Sequence, residues 1–181
     1  MAERLLRSDI TAGSERHIID MPCGYGRFYP LLKRLGFRVS AMDQSQSMVT
    51  ICRDQPDFQD GDTAEAANIL KTLPGDAEAA NQALCVRMFQ HLHDSPLRVQ
   101  ALRTLGGNNR RVVMTYYESG CLHYWSKRLL MFLKRKPVRI RMISRSQFAS
   151  EVAEAGLQIE ERIKLFPGFH AQTWVRLRRA D

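Results

Sequence analysis

The sequence predicts a single α/β domain whose central sheet is mostly parallel. A short apolar run at 17–19 ends at Asp20 and is followed by a turn that contains Gly24 and Gly26. Strand-like and helix-like segments then alternate along the chain, which is the order expected for parallel strands joined by helices. The chain has 181 residues, of which 44% are hydrophobic and 25% are charged, and this composition fits one globular core.

The segment 17–44 carries the strongest local pattern, with the order strand, glycine turn, helix and second strand. A backbone that turns sharply and passes close to a ligand tolerates no Cβ, and Gly24 and Gly26 meet that requirement. Apolar positions at helical spacing predict a helix over 27–35, and alternating apolar positions predict a second strand over 37–43.

Each of these two strands ends in an acidic residue, Asp20 and Asp43. Open α/β sheets bind their ligands at the carboxyl ends of the strands. Asp43 follows Asp20 by 23 positions, close to the offset of about 20 residues at which an acidic side chain meets ribose hydroxyls. The dinucleotide fingerprint needs a third glycine where this chain has Tyr29, so NAD and FAD are disfavoured.

The segments DMPCGYGR and AMDQSQSM, in this order and spacing, resemble the cofactor signature of class I S-adenosylmethionine-dependent methyltransferases. The resemblance extends from about His17 to the C-terminus. It departs from the family at Pro22, where another glycine is usual, and at Tyr25, where a small or hydroxyl residue is common. It implies a Rossmann-like methyltransferase fold, with a mostly parallel seven-stranded sheet, an antiparallel C-terminal hairpin and helices on both faces. It also implies S-adenosyl-L-methionine as the cofactor.

The same resemblance implies which residues hold that cofactor. A weak third strand is predicted over 57–62 and closes at Asp62 and Thr63. These two residues are expected to contact adenine. The alternative is that they belong to an ordinary turn. The segment after the fourth strand is expected to line the wall beside the sulfonium and the acceptor. The expected cofactor-binding residues are Asp20, Pro22, Cys23, Gly24, Gly26, Asp43, Gln44, Met48, Asp62, Thr63, Arg87 and Met88.

Methyl transfer from a sulfonium is a displacement with an excellent leaving group, so positioning of the acceptor supplies much of the rate. Transfer to an acceptor that carries a proton gains from a general base. The candidates are His91 and His93, which follow the fourth strand, predicted over 83–86. The alternative for both histidines is an ordinary loop or packing role. Tyr116 and Tyr117, which end the fifth strand, either shape the acceptor pocket or pack in the core.

Residues 1–16 are expected to form a short N-terminal cap, with Leu5, Leu6 and Ile10 on one face of a helix laid over the cofactor. Residues 17–181 are expected to form the S-adenosylmethionine-binding methyltransferase domain. Helices are predicted over 45–55, 64–73, 95–105 and 146–155, and the strands of the C-terminal hairpin over 157–166 and 169–178. Met48, Val49 and Ile51 are expected on the apolar face of the first of these helices.

The segment 118–141 is predicted to be an inserted basic amphipathic helix, because large apolar residues alternate with lysines and arginines over 122–136. This segment has three alternative roles: a lid over an apolar acceptor or plain packing, peripheral membrane contact, and a nucleic-acid patch. Its high apolar content makes nucleic-acid binding the weakest of the three. The net charge of +8 and the pI near 9.7 suit an anionic partner but do not choose among these.

Several classes of site are disfavoured. The four cysteines form no CxxC pair, so neither a metal site nor a disulfide framework is expected. The chain has no Walker loop, no GxSxG elbow and no HExxH pair. It has no apolar run of about 20 residues and no N-terminal segment like a signal peptide. We therefore expect a cytoplasmic protein, with membrane association through 122–136 left open.

The expected function is S-adenosylmethionine-dependent methyl transfer to a small-molecule or lipid-like acceptor by in-line displacement. Two alternatives remain. Pro22, Tyr25 and the short N-terminal cap favour a noncatalytic binding module on a methyltransferase fold. The basic insertion favours an RNA methyltransferase, although the absence of an NPPY-type tetrapeptide argues against methylation of base amino groups.

Overall fold

The computed structural model describes residues 1–7, 16–71, 73, 80–107, 110–120, 141–164 and 171–180. Its strands are β1 (His17–Asp20), β2 (Arg38–Asp43), β3 (Thr63–Ala66), β4 (Gln82–Cys85), β5 (Arg111–Tyr117), β6 (Leu157–Lys164) and β7 (Gln172–Arg179). Its helices are α1 (Ala2–Arg7), α2 (Tyr29–Arg34), α3 (Gln46–Arg53), α4 (Ser95–Gly106) and α5 (Arg145–Glu154), with a 3₁₀ turn at Phe89–His91.

The seven strands form one sheet in the order β3-β2-β1-β4-β5-β7-β6. The five strands from β3 to β5 in this order are parallel, and β7 is antiparallel to both β5 and β6. The predicted fold class is therefore confirmed, including the antiparallel C-terminal pair. Because β1 to β5 are parallel, their carboxyl ends lie along one edge of the sheet, which we call the carboxyl edge.

Helices cover both faces of the sheet, as the sequence predicts. Alternate residues of each strand point to opposite faces, and Leu84 belongs to a different core cluster from Ala83 and Cys85. One cluster joins the sheet to α4 and α5 through residues such as Leu102 and Phe148. The other joins it to α1, α2 and α3.

The N-terminal helix α1 belongs to the second of these clusters. Leu5 and Leu6 are fully buried, and α1 contacts β5 and β7 on the face shared with α2 and α3. Ile10, the third residue of the expected apolar face, lies outside the described residues. The helix is thus confirmed over Ala2–Arg7, where it packs on a face of the sheet, and its expected position over the cofactor stays a prediction.

The region between α3 and β4 differs from the prediction. The predicted third strand at 57–62 and the predicted helix at 64–73 are both wrong, because β3 occupies Thr63–Ala66. The alanine-rich sequence favours a helix, but Ala64 pairs with Ala41 of β2, and this tertiary pairing overrides the local propensity. The apolar face of α3 also differs, since Ile51 is 44% exposed while Cys52 is fully buried.

Most of the predicted insertion at 118–141, including 122–136, lies outside the described residues. The same holds for the joint between the two C-terminal strands and for Cys121. None of the helices in the described part of the chain is long and apolar enough to span a bilayer.

A buried ion pair fixes the segment after β4. Arg98 on α4 is 1% exposed and donates two hydrogen bonds to Glu151 on α5, at 2.9 and 2.6 Å. The same guanidinium donates to the carbonyl oxygens of Leu92 and His93, at 2.9 and 2.8 Å. Burial alone would raise the pKa of Glu151, but the hydrogen bonds from Arg98 and Ser95 outweigh it and lower that pKa.

We expect Arg98→Met to lower the free energy of unfolding by about 3–5 kcal/mol, because Glu151 is left buried and uncompensated. The double variant Arg98→Met with Glu151→Leu should recover a large part of that loss. Arg103→Met, on an exposed arginine of the same helix, is the matched control and should cost less than about 0.5 kcal/mol. Urea unfolding at pH 7 measures all three, and equal losses in the single and double variants would contradict the pairing.

The same pair sets a pH dependence. Because the pKa of Glu151 is lowered on folding, its contribution is fully present above the ordinary glutamate pKa and is lost as the pH falls through the lowered value. We expect the stability difference between the native chain and the double variant to shrink in acid. Urea unfolding between pH 3 and about pH 7 measures this, and a difference that grows in acid would refute it.

Candidate functional site

The turn after β1 forms the centre of the carboxyl edge. Cys23 donates its backbone N–H to the carbonyl of Met42, at 2.8 Å, which ties the turn to β2. Gly24 and Gly26 have φ values of +55° and +83°, a conformation that side chains disfavour. A Cβ on Gly26 would lie 3.2 Å from the sulfur of Cys52, whereas a Cβ on Gly24 would meet nothing within 4 Å. The turn is therefore packed on α3 on one side and open at Gly24.

Asp43, at the end of β2, holds this turn in place. Its Oδ2 accepts a hydrogen bond from the backbone N–H of Gly24, at 3.0 Å, and its Oδ1 accepts from the N–H of Ser45, at 2.9 Å. Asp43 is half-buried, so its carboxylate is still reachable. Each carboxylate oxygen has a second lone pair, so the group can position the turn and accept hydrogen bonds from a ligand.

Asp20, at the end of the neighbouring strand β1, is a buried carboxyl group of a different kind. It is 2% exposed, and no described residue donates a hydrogen bond to its side chain. Burial raises the pKa of Asp20 well above its ordinary value, and the nearby Cys52 and Asp43 raise it further. A buried carboxyl group without a partner is costly once ionised, so the position favours a cationic ligand.

The structure places Asp62 and Thr63 elsewhere, so their expected adenine contacts are wrong. Both residues lie at the amino end of β3, where Thr63 pairs with Ser40, and this is the opposite edge of the sheet from Asp20 and Asp43. The Asp62 carboxylate accepts from the Val39 N–H at 2.8 Å. It also forms an ion pair with Lys33 at 2.8 Å and accepts from the hydroxyl of Tyr29. These partners are structural, and they lower the pKa of Asp62 although burial alone would raise it.

The residues that do follow β3 at the carboxyl edge are Ala67 and Asn68. The N–H of Ala67 donates to the backbone carbonyl of Asp43, at 3.0 Å, and Asn68 Oδ1 accepts from the N–H of Leu70, at 2.9 Å. Sequence reasoning missed them because it ended the third strand too early. The available signal was Asn68 itself, a residue that favours turns and follows an apolar pair.

The remaining expected cofactor residues on this side lie in two short segments. Pro22 and Cys23 belong to the turn after β1, and Cys23 is buried. Gln44 is exposed directly after β2, and Met48 is half-buried on α3. Ser45 directly precedes α3, and its hydroxyl contacts the hydroxyl of Ser47 at 2.8 Å.

The end of β4 forms the other half of the carboxyl edge. Arg87 has φ +61°, the only positive value among the described residues other than glycine. Its N–H donates to the hydroxyl of the buried Thr115, at 2.9 Å, and its carbonyl accepts from the side chain of Gln90, at 2.5 Å. Arg87 is exposed, and Met88 is half-buried against the core.

The two candidate bases lie on this half, and both side chains are exposed. The Nε2 atom of His91 lies 3.3 Å from the amide nitrogen of Gln90. His93 is held through its backbone carbonyl by Arg98. A role for either histidine as a general base stays a prediction.

Tyr116 packs in the core. It is fully buried, its ring stacks on Phe148 at 3.9 Å, and its hydroxyl donates to Glu118 at 2.9 Å. Of the two alternatives for this tyrosine, packing is therefore confirmed. Tyr117, next to it at the end of β5, is half-buried.

Comparison with known proteins gives matches at the level of family and fold. The family described as "Methyltransferase domain" matches residues 2–162. A search of curated protein sequences found no significant match.

Three similar solved structures illustrate the fold match. Magnesium protoporphyrin IX methyltransferase from Synechocystis PCC 6803, with bound SAH, is 14% identical, with a TM-score of 0.78 over 99% of this chain and 80% of that chain. The mitomycin 7-O-methyltransferase MmcR is 18% identical, with a TM-score of 0.73 over 99% of this chain and 53% of that one. A putative methyltransferase in complex with the Haloferax volcanii Trm112 activator is 16% identical, with a TM-score of 0.71 over 99% and 88%. This chain therefore spans about half the length of MmcR.

We expect Asp62→Asn to lower the free energy of unfolding by about 3 kcal/mol, because it leaves Lys33 without its buried partner. We expect the affinity for S-adenosylhomocysteine to stay within twofold of the native value, because Asp62 lies at the opposite edge from the glycine turn. Urea unfolding and calorimetric titration well below the melting temperature separate the two effects. A selective loss of affinity would return Asp62 to the binding site.

Proposed function

Since this chain belongs to the class I S-adenosylmethionine-dependent methyltransferases, we propose that it transfers the methyl group of S-adenosylmethionine to a small-molecule acceptor. The observation that carries the proposal is the arrangement of Asp20, the open turn at Gly24 and Asp43 at the ends of two adjacent parallel strands. The enzyme class rests on the family match. The acceptor class is inferred from similar structures, and the site roles and the mechanism are inferred from geometry and charge.

The residues at the carboxyl edge fit the parts of the cofactor. Asp20, buried and without a donor among the described residues, suits the ammonium group of the methionine moiety. Asp43 suits the ribose hydroxyls, since its oxygens retain acceptor capacity beside the turn. Ala67 and Asn68, at the end of β3, take the place that Asp62 and Thr63 were expected to hold beside adenine.

When bound, S-adenosylmethionine supplies an electrophilic methyl group on a sulfonium leaving group. The protein then has to hold the acceptor nucleophile in line with that methyl group, and positioning of this kind can supply several kcal/mol of the barrier reduction. The end of β4 is the half of the edge left for the acceptor, and Arg87, Met88 and the two histidines lie there.

General base catalysis is a further proposal for this half of the site. The amide nitrogen of Gln90 faces Nε2 of His91. In the tautomer that this contact favours, the amide donates to the ring, and the lone pair of His91 Nε2 is occupied. The side chain of His93 has no such contact among the described residues, and it is the better candidate for taking a proton from the acceptor.

A small-molecule acceptor is supported by two of the similar structures, whose names give a porphyrin and a mitomycin as substrates. Three further predictions depend on the segment 122–136, which lies outside the described residues. They are a lipid-like acceptor, peripheral membrane contact and methylation of RNA. They stay predictions, as does the cytoplasmic location. The noncatalytic alternative is disfavoured by the family match. Pro22 and Tyr25, two of the features that favoured it, are accommodated in a turn that keeps both glycine conformations.

We expect the affinity for S-adenosylhomocysteine to rise with pH in the native chain and to change less in Asp20→Asn. Burial raises the pKa of Asp20 in the free protein, so at a given pH more of it is protonated than of an ordinary aspartate, and a bound ammonium group favours the ionised form. Binding therefore releases a proton from Asp20, and the affinity rises as the pH passes through the raised pKa. Calorimetric titrations between about pH 5 and pH 8 measure this, and the ligand's own titration cancels in the comparison. Identical pH profiles for the two proteins would remove Asp20 from the site.

We expect Asp43→Ala to weaken binding of S-adenosylhomocysteine by about 1.5–3 kcal/mol, because charge-assisted hydrogen bonds to the ribose are lost and the glycine turn is released. Asp60→Ala, at an exposed acidic residue away from the carboxyl edge, is the matched control and should leave the dissociation constant unchanged. Calorimetric titration of both variants checks the assignment. An unchanged dissociation constant in Asp43→Ala would end the ribose role.

A further inference from the structure

The side-chain oxygen of Gln90 is buried and has no partner in the part of the chain that the structure describes. The residue lies in the 3₁₀ turn after β4 and is 3% exposed. Its Nε2 donates to the Arg87 carbonyl at 2.5 Å, and its backbone carbonyl accepts from the N–H of Arg141 at 2.8 Å. Its Oε1 is buried, and no described residue donates a hydrogen bond to it.

The orientation of the amide is fixed by its neighbours. If the oxygen and nitrogen were exchanged, Oε1 would face the carbonyl oxygen of Arg87 at 2.5 Å, which is repulsive. The unpaired atom is therefore the oxygen. Native proteins rarely leave such an atom unsatisfied, because it loses its bonds to water and gains none in return.

The turn around Gln90 is held in a costly conformation. Arg87 adopts a positive φ, which is unfavourable for a residue with a side chain, and the bonds from Thr115 and Gln90 keep it there. Strain of this kind is found preferentially at binding and catalytic positions. All the contacts described for Gln90 are with residues after β4 or after β5, on the opposite side of β1 from Asp43.

We propose that Oε1 of Gln90 accepts a hydrogen bond from an O–H or N–H group of the methyl acceptor, so that Gln90 selects acceptors that carry such a donor. The inference rests on the proposed function, since it assumes that the acceptor enters over the end of β4. The ammonium group of the cofactor has a better partner in the buried carboxyl group of Asp20, at the end of β1. The donor that Gln90 lacks is thus assigned to the acceptor.

The test uses matched pairs of small probes in the presence of saturating S-adenosylhomocysteine: phenol with anisole, and aniline with N,N-dimethylaniline. Within each pair only the first compound donates a hydrogen bond. Ligand-observed NMR should show that the native chain prefers the donor compound by about tenfold, because a site with a buried acceptor rejects an analogue that leaves it unpaired. Gln90→Met, which removes the oxygen, should abolish that preference.

Two further variants keep the result interpretable. Gln90→Glu, protonated in this buried position, can donate to the Arg87 carbonyl and keep one acceptor oxygen, so it should retain the preference if the turn folds. Gln59→Met, at an exposed glutamine, should behave like the native chain. All variants should bind S-adenosylhomocysteine within twofold of the native affinity.

Three outcomes would overturn the proposal. The first is that the native chain shows no preference for the donor compounds, as when a water molecule fills the site, and the second is that the preference survives in Gln90→Met. The third is that Gln90→Met loses affinity for S-adenosylhomocysteine while the preference stays intact, which would assign the oxygen to the cofactor. Failure of the native chain to bind S-adenosylhomocysteine would instead contradict the proposed function.

Discussion

The hydrogen bond from the Gly24 N–H to the Asp43 carboxylate is the interaction on which the rest of the site depends. It joins the turn after β1 to the end of β2, and the second oxygen of the same carboxylate fixes the start of α3. Parallel pairing of β1 with β2 brings these ends together, and the glycines let the backbone bend between them. A single half-buried carboxylate thus sets the geometry of the turn and remains available to a ligand.

Local signals were sufficient to predict this part of the molecule. The strand at 17–20, the glycine turn and the strand ending at Asp43 are adjacent in sequence, and each has a distinct period or turn residue. The third strand has no such signal, because β3 is short and alanine-rich and is the outermost strand on its side of the sheet. Its position is decided by pairing with β2. Because the predicted strand ended too early, the adenine contacts were expected from residues at the amino end of β3 instead of from those at its carboxyl end.

The buried carboxyl groups show a second limit of sequence reasoning. Asp62 and Glu151 are paired with Lys33 and Arg98, which lie 29 and 53 positions away, so their structural roles are visible only in the folded chain. Asp20 has no such partner among the described residues. In the sequence all three are acidic residues. Only the fold shows that Asp62 and Glu151 are paired with basic side chains, whereas Asp20 has no such partner among the described residues.

The two halves of the carboxyl edge are also held by different means, and this bears on what each can recognise. The half formed by β1 and β2 is fixed by backbone pairing and by Asp43, which suits a ligand of constant shape. The half after β4 is fixed by side chains from elsewhere. Arg98, which is paired with Glu151, donates to its carbonyl groups, and Thr115 accepts from the N–H of Arg87. Substitutions at such side chains can reshape that half without disturbing β1 and β2. Under the proposed function, the half that receives the acceptor can therefore change while the half that binds the cofactor is kept.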